Sequence, residues 1–167
     1  EFLLKGADSV DEIFHRNVNE FNRNEADIFE KKFFHARLLH QENNFLAWIE
    51  MNPLTEFGQL LAGRENNDIY IVTTKNRGAV ESILKYYNIS VAGIYANDEI
   101  KSAGNKGSLI SGIMDLKKEK QSMFLDDVAE HLMTVSDDRV RCYFADWGYG
   151  INDSYQVLNR EAWGNYI

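Results

Sequence analysis

Between Met123 and Leu132 the chain reads MFLDDVAEHL, an apolar run that ends in two adjacent aspartates and passes at once into a helix-like segment. Neighbouring carboxylates at the end of a buried strand repel each other and are poorly solvated. They are tolerated only where a cation or a hydrogen-bond network offsets that cost. Asp126 and Asp127 are therefore a candidate Mg²⁺ site on residue chemistry alone. The structural alternative is that Asp127 caps the following helix while its neighbour is hydrogen-bonded. No Asp-x-Asp at the end of an apolar strand occurs upstream to complete such a site.

The chain changes character near Pro53. Before it the periodicity is helical, with Val10, Ile13, Phe14, Asn17, Val18 and Phe21 forming one stripe and Asp8 or Ser9 placed to cap it. A second helix is expected from about Glu25 to Glu50, its aromatics forming a helix-pair core. Asn52-Pro53 reads as a cap and a first-turn proline, opening a helix up to about Ala62. After that, strands alternate with helices. Strands are expected at Asp68–Lys75, Val91–Tyr95, Ser122–Leu125 and Val140–Ala145. Helices are expected at Arg77–Tyr87, Gly107–Leu116 and Val128–Met133. This alternation predicts an α/β fold with a parallel sheet covered on both faces. Ligands of such sheets bind beyond the carboxyl ends of the strands, which brings Thr73, Asp126, Asp127 and Asp146 to one edge. Residues 151–167 show no clear period.

Composition narrows the function. With 44% hydrophobic and 26% charged residues, the chain has the makings of a real core and does not read as disordered. A net charge of −8 argues against a nucleic-acid partner, since phosphate-backbone affinity comes from clustered Lys and Arg. A small phosphorylated substrate stays compatible, because a pocket can be locally positive. The single cysteine, Cys142, lies in an apolar run and reads as a small core residue, which fits a cytoplasmic location. No apolar run approaches a membrane span, and no membrane partner is expected.

Several side chains carry possible chemistry. Thr73 and Thr74 end the first strand, where their hydroxyls could hold a phosphate oxygen; otherwise a threonine there caps the next helix. Lys106, in AGNKGS at a turn entering a helix, could neutralise a bound phosphate, with Lys101 as its nearby competitor. Most lysines are solvated, and that is the bland alternative. His15, His35, His40 and His131 show no metal-ligand spacing and read as structural. There is no GxSxG, no GxxxxGK[ST] and no GxGxxG after a strand, so serine hydrolase, nucleotide triphosphatase and dinucleotide readings gain no support.

Taken in order, these segments resemble the haloacid dehalogenase (HAD) superfamily, near its phosphoglycolate-phosphatase-like branch. IYIVTTKN is similar to the family's second motif, an apolar strand ending in Ser or Thr, and NKGSLI to its lysine-bearing third. MFLDDVAEHL resembles the fourth motif in its double-aspartate form, FADWGYG the strand and loop after it, and NPLTEFGQLLAG the helix before the second motif. The resemblance covers about Asn52 to Gly150. It implies a Rossmann-like core at 52–150, a helical cap at 1–51 and a C-terminal extension at 151–167. It also implies that Thr73 binds the transferring phosphoryl group and that Lys106 steadies its charge, with Asp126 and Asp127 holding Mg²⁺. The family's first motif, an apolar strand running into Asp-x-Asp-x-Thr, is absent from the sequence. Asp8 and Asp11 lie on no strand and cannot substitute.

The expected activity is thus Mg²⁺-dependent hydrolysis of a small phosphomonoester through an aspartyl-phosphate, with the nucleophile missing from these residues. The alternative is a catalytically inactive HAD-like binding or interaction scaffold. Residue 1 is Glu, and Phe2-Leu3-Leu4 opens an apolar segment immediately, as expected of a chain that starts inside a longer reading frame. Lack of the first core strand predicts poor stability, homo-oligomerisation or strand donation by another chain.

Overall fold

The computed structural model describes residues 23–148, 150, 155 and 157. The expected helix over Val10–Phe21, with its cap and His15, lies outside them, as does most of 151–167. The chain divides into two compact units, Glu1–Met51 and Asn52–Ile167.

In the first unit, the helix expected over 25–50 is two helices, α1 (Arg23–Asn43) and α2 (Phe45–Glu50). The break falls at Asn44, whose side chain accepts the Ala47 N–H at 3.3 Å and so caps α2. Asparagine competes for backbone groups and favours starting a helix over continuing one. Trp48 and Ile49 are buried, whereas Phe29 and Phe33 stack one helical turn apart and are exposed.

The second unit is mixed α/β, in the order α3 (Glu56–Leu61), β1 (Glu65–Val72), α4 (Arg77–Tyr86), β2 (Ser90–Tyr95), α5 (Asn97–Ala103), α6 (Lys106–Lys117), β3 (Ser122–Asp126), α7 (Ala129–Met133) and β4 (Val140–Phe144). Where one parallel sheet was expected, the strands form two separate parallel pairs, β1 with β2 and β3 with β4. The start of α3 also differs from expectation. Thr55 caps it by accepting the Gly58 N–H, and Asn52 instead takes the Tyr87 hydroxyl on its carbonyl and the Lys75 ammonium on its side chain. β1 begins earlier than its apolar run because Asn66 is buried and donates to the carbonyls of Leu61, Arg64 and Ser90. The polar sequence of α5 hid it from periodicity. The Glu99 carboxylate, accepting the Ala96 N–H, secures its first turn.

Alternation along β3 and β4 separates two apolar clusters. Phe124, Val140 and Phe144 pack with Ile110 and Met114 of α6 and Leu132 of α7. Met123, Leu125 and Tyr143 pack with Phe57 and Leu60 of α3. This pair is therefore covered on both faces, as parallel strands require. Val72 of β1 packs against the first cluster, as do Cys142 and Tyr155. Cys142 is half-buried, and its burial pushes the thiol pKa up. No helix among the described residues is long and apolar enough to cross a membrane.

Leu132 is 1% exposed at the centre of the first cluster. Leu132→Ala should cost about 2–5 kcal/mol in urea denaturation; a loss under about 1 kcal/mol would show that this cluster is not the unit's core. Ahead of β4, Arg139 donates to Asp137 and to Asp115 of α6. The Arg139 hydrogen bond lowers the Asp137 carboxyl to about 2. A carboxyl depressed on folding adds stability above its unfolded value, about 3.9, and that stability is lost as pH falls through the folded value. Asp137→Asn should therefore flatten the fall in melting temperature between about pH 4 and pH 2. An unchanged acid limb would contradict this.

Candidate functional site

Alternation puts Asp126, the last residue of β3, on the same side as Phe124, beneath α6. Helix α6 opens there with Lys106. Its cap is Asn105, whose side chain accepts the Ser108 N–H at 2.8 Å. The next residue, Gly107, donates its N–H to Thr134 Oγ1 at 2.9 Å, and Thr134 Oγ1 donates in turn to the His131 carbonyl at 2.7 Å. A Cβ at position 107 would overlap the Thr134 carbonyl, so only glycine permits this approach. With its first turn fixed against the end of α7, α6 carries the Lys106 ammonium to Asp126 Oδ2 at 2.6 Å. Both side chains are almost fully enclosed, at 7% and 6% exposure.

The other oxygen of Asp126 is also engaged. Asp126 Oδ1 accepts the Val128 N–H at 2.9 Å and lies 3.1 Å from His131 Nδ1. Helix α7 starts after Val128 with no side-chain cap. Asp127, the capping residue of the structural alternative, does not cap it; Asp126 accepts the Val128 N–H instead, reaching forward from the strand end. Asp127 instead lies under the loop that follows β4. A Cβ at Gly148 would overlap the Asp127 side chain, and one at Gly150 would overlap its carbonyl oxygen. The loop is held by Ala145 N–H on the Asp126 carbonyl and Gly148 N–H on the Ala145 carbonyl. Asp146 is exposed in that turn.

Thr73 follows the last residue of β1. It donates its N–H to the Tyr95 carbonyl, and its hydroxyl oxygen accepts the Lys75 N–H at 3.2 Å. It does not cap α4; Asn76 does, accepting the Ala79 N–H at 2.8 Å. Thr74 and Lys101 are exposed. Among the described residues no hydrogen bond joins Thr73 or Thr74 to Lys106 or Asp126; the structure pairs Lys106 with Asp126, and the threonines follow β1, in the other strand pair.

His131 was read from sequence as structural, and it proves to be a direct neighbour of Asp126. The available signal was the spacing Asp126 to His131: a strand-end carboxylate and one turn of the following helix face each other. His35 and His40 are exposed on α1. Among the described residues no group of three or more His, Cys, Asp or Glu side chains is placed to hold a metal. The carboxylate pair still matches Mg²⁺ in donor chemistry, since that ion takes one or two carboxylates and draws the rest from water and phosphate.

No family model matches the chain, and neither a curated protein nor a solved structure matches it.

Removing one partner of a buried ion pair strands the other charge. Lys106→Met should destabilise the second unit by about 3–5 kcal/mol, and adding Asp126→Leu should recover most of that loss. Urea denaturation of the two single variants and the double variant provides the cycle. Strictly additive losses would mean that the pair is not energetically coupled.

Proposed function

We propose that this chain supplies the charge-handling half of a HAD-type, Mg²⁺-dependent phosphohydrolase site acting on a small phosphomonoester through an aspartyl-phosphate. The supporting observation is the Lys106–Asp126 pair, buried at the carboxyl end of a parallel strand with Asp127 next to it. A fixed ammonium beside a strand-end carboxylate matches the needs of phosphoryl transfer, where positioning and charge neutralisation supply most of the rate. In this reading Thr73 and Thr74 contact the phosphoryl oxygens and Lys106 neutralises them. Asp126 and Asp127 would hold Mg²⁺, which would supply further neutralisation of the phosphate charge. The attacking carboxylate is not among the described residues, and these groups alone form no covalent intermediate.

A second reading has its own observation. The oxygens of Asp126 are already met by Lys106, Val128 and His131, as they would be in a scaffold that uses these charges for structure alone. Hydrolysis of p-nitrophenyl phosphate by the natural protein, with and without Mg²⁺, separates the two. For the enzyme, Mg²⁺-dependent turnover should fall at least about a hundredfold in Asp127→Asn and in Lys106→Ala. Near-normal rates in both variants would remove the site assignment. Absence of any Mg²⁺-dependent turnover in the natural protein would favour the scaffold.

A further inference from the structure

The turn after β4 leaves a tryptophan at the surface beside the candidate site. Its residues, Ala145-Asp146-Trp147-Gly148, are tied down at both ends. Ala145 donates its N–H to the Asp126 carbonyl, and Gly148 donates to the Ala145 carbonyl. Gly148 lies so close to Asp127 that a Cβ there would overlap the carboxylate. One Cα step away, the Trp147 Cα is therefore within about 8 Å of that carboxylate. A lone exposed apolar residue needs no explanation. Trp147 differs because its ring is backed. The Phe57 ring of α3 stacks on it at a centroid distance of 6.0 Å and an interplanar angle of 20°. Phe57 in turn packs against Tyr143 of β4. Trp147 nevertheless stays 39% exposed, whereas Trp48 is 3% exposed.

The chemistry of the turn narrows what such a ring can take. Asp146, the residue before it, is exposed. Among the described residues neither its carboxylate nor the Trp147 indole N–H has a hydrogen-bond or ion-pair partner. The turn holds no Lys or Arg. The face of an indole carries negative charge density and attracts cations more strongly than that of Phe or Tyr. A cation therefore gains from both the ring and the carboxylate. A neutral ring gains from the indole alone, and an anion is disfavoured by Asp146. Small hard metal ions prefer a set of oxygen ligands. That leaves an alkylammonium group, charged at its centre and apolar on its surface, as the best fit.

We propose that Trp147, backed by Phe57 and adjoining Asp146, is a subsite for an alkylammonium group. Phe57 already orders the ring, so little conformational freedom is lost when a ligand arrives. Asp146 adds an attraction that salt screens. Assigning the ammonium to a substrate rests on the phosphohydrolase reading, in which the phosphate meets Lys106 and the alcohol portion carries the cation to Trp147. Binding of the cation by itself requires neither Mg²⁺ nor phosphate, so the two readings can fail separately.

Proton–nitrogen NMR of the full 167-residue chain reads the indole N–H signals of its three tryptophans. Trp147→Leu identifies the signal of this turn by its loss. The probe is choline, and its twin is the uncharged isostere in which a tert-butyl group replaces the trimethylammonium. Choline should shift the Trp147 signal saturably and leave the other two in place, whereas the twin should shift none. Asp146→Asn should weaken choline binding at least about threefold, and unmoved signals of the other two indoles show that this variant keeps its fold. Equal shifts with choline and its twin, or none with choline, would overturn the subsite. So would a phenol that shifts the signal at lower concentration than choline, which would mark a stacking site for neutral rings. Choline phosphate with Mg²⁺ separates the two readings. Tighter binding than choline supports both, and binding equal to choline keeps the subsite but removes the phosphate from it. Mg²⁺-dependent turnover of p-nitrophenyl phosphate without any choline-induced shift would overturn the subsite alone.

Discussion

Lys106 and Asp126 hold each other in a place neither could occupy alone. A carboxylate enclosed at the end of β3 needs a cation, and an ammonium enclosed at the start of α6 needs an anion. Their contact joins the helix to the strand, and the surrounding geometry depends on it. Gly107 can approach Thr134 only because α6 begins at this point, and Thr134 then ties the end of α7 to the same turn. His131 and the Val128 N–H complete the shell on the other carboxylate oxygen. Two helices and a strand thus meet at one buried charge pair, with the apolar cluster of Ile110, Met114, Phe124 and Leu132 packed beneath it.

The division of the strands into two pairs has a physical counterpart in that packing. Both faces of β3–β4 are covered, by α3 and by α6 with α7, so this pair has the two-sided burial that parallel strands need. β1 reaches the same core through Val72 alone among its residues in that cluster. Helix packing therefore links the pairs where backbone pairing does not.

Element types were legible where a periodic apolar pattern ran without interruption. α4, β2, α6, β3 and β4 lie within a residue or so of their apolar stretches, because alternation and helical spacing report burial directly. Local polar chemistry decided the exceptions. Asn44 splits one expected helix, Thr55 sets the start of α3 in place of Asn52, and the buried amide of Asn66 draws polar residues into β1. Sheet continuity was not legible, since a strand's sequence shows that it is buried and not which neighbour it pairs with. In the candidate site, the sequence assigns Asp126 to Mg²⁺ and Lys106 to a phosphate, and their direct pairing shows only once the strand end and the start of α6 are placed together. The His131 contact was missed because histidines were weighed only against one another.

Asp126 and Asp127 are adjacent and chemically identical, yet the fold places them in opposite settings. Alternation sends the first inward under α6, where two cationic or N–H-bearing neighbours and a backbone amide surround it. The second leaves the strand and lies against a loop whose glycines make room for it. A buried, fully partnered carboxylate resists movement, because any displacement strands Lys106 without its counter-ion. Asp127 is half-buried under that loop and stays nearer to solvent than Asp126. Asp126 is thus the fixed point that keeps Lys106 and the strand end in position. The doubled aspartate is a division of labour within the fold: the first carboxylate ties α6 to the strand end, and the second packs against the loop after β4.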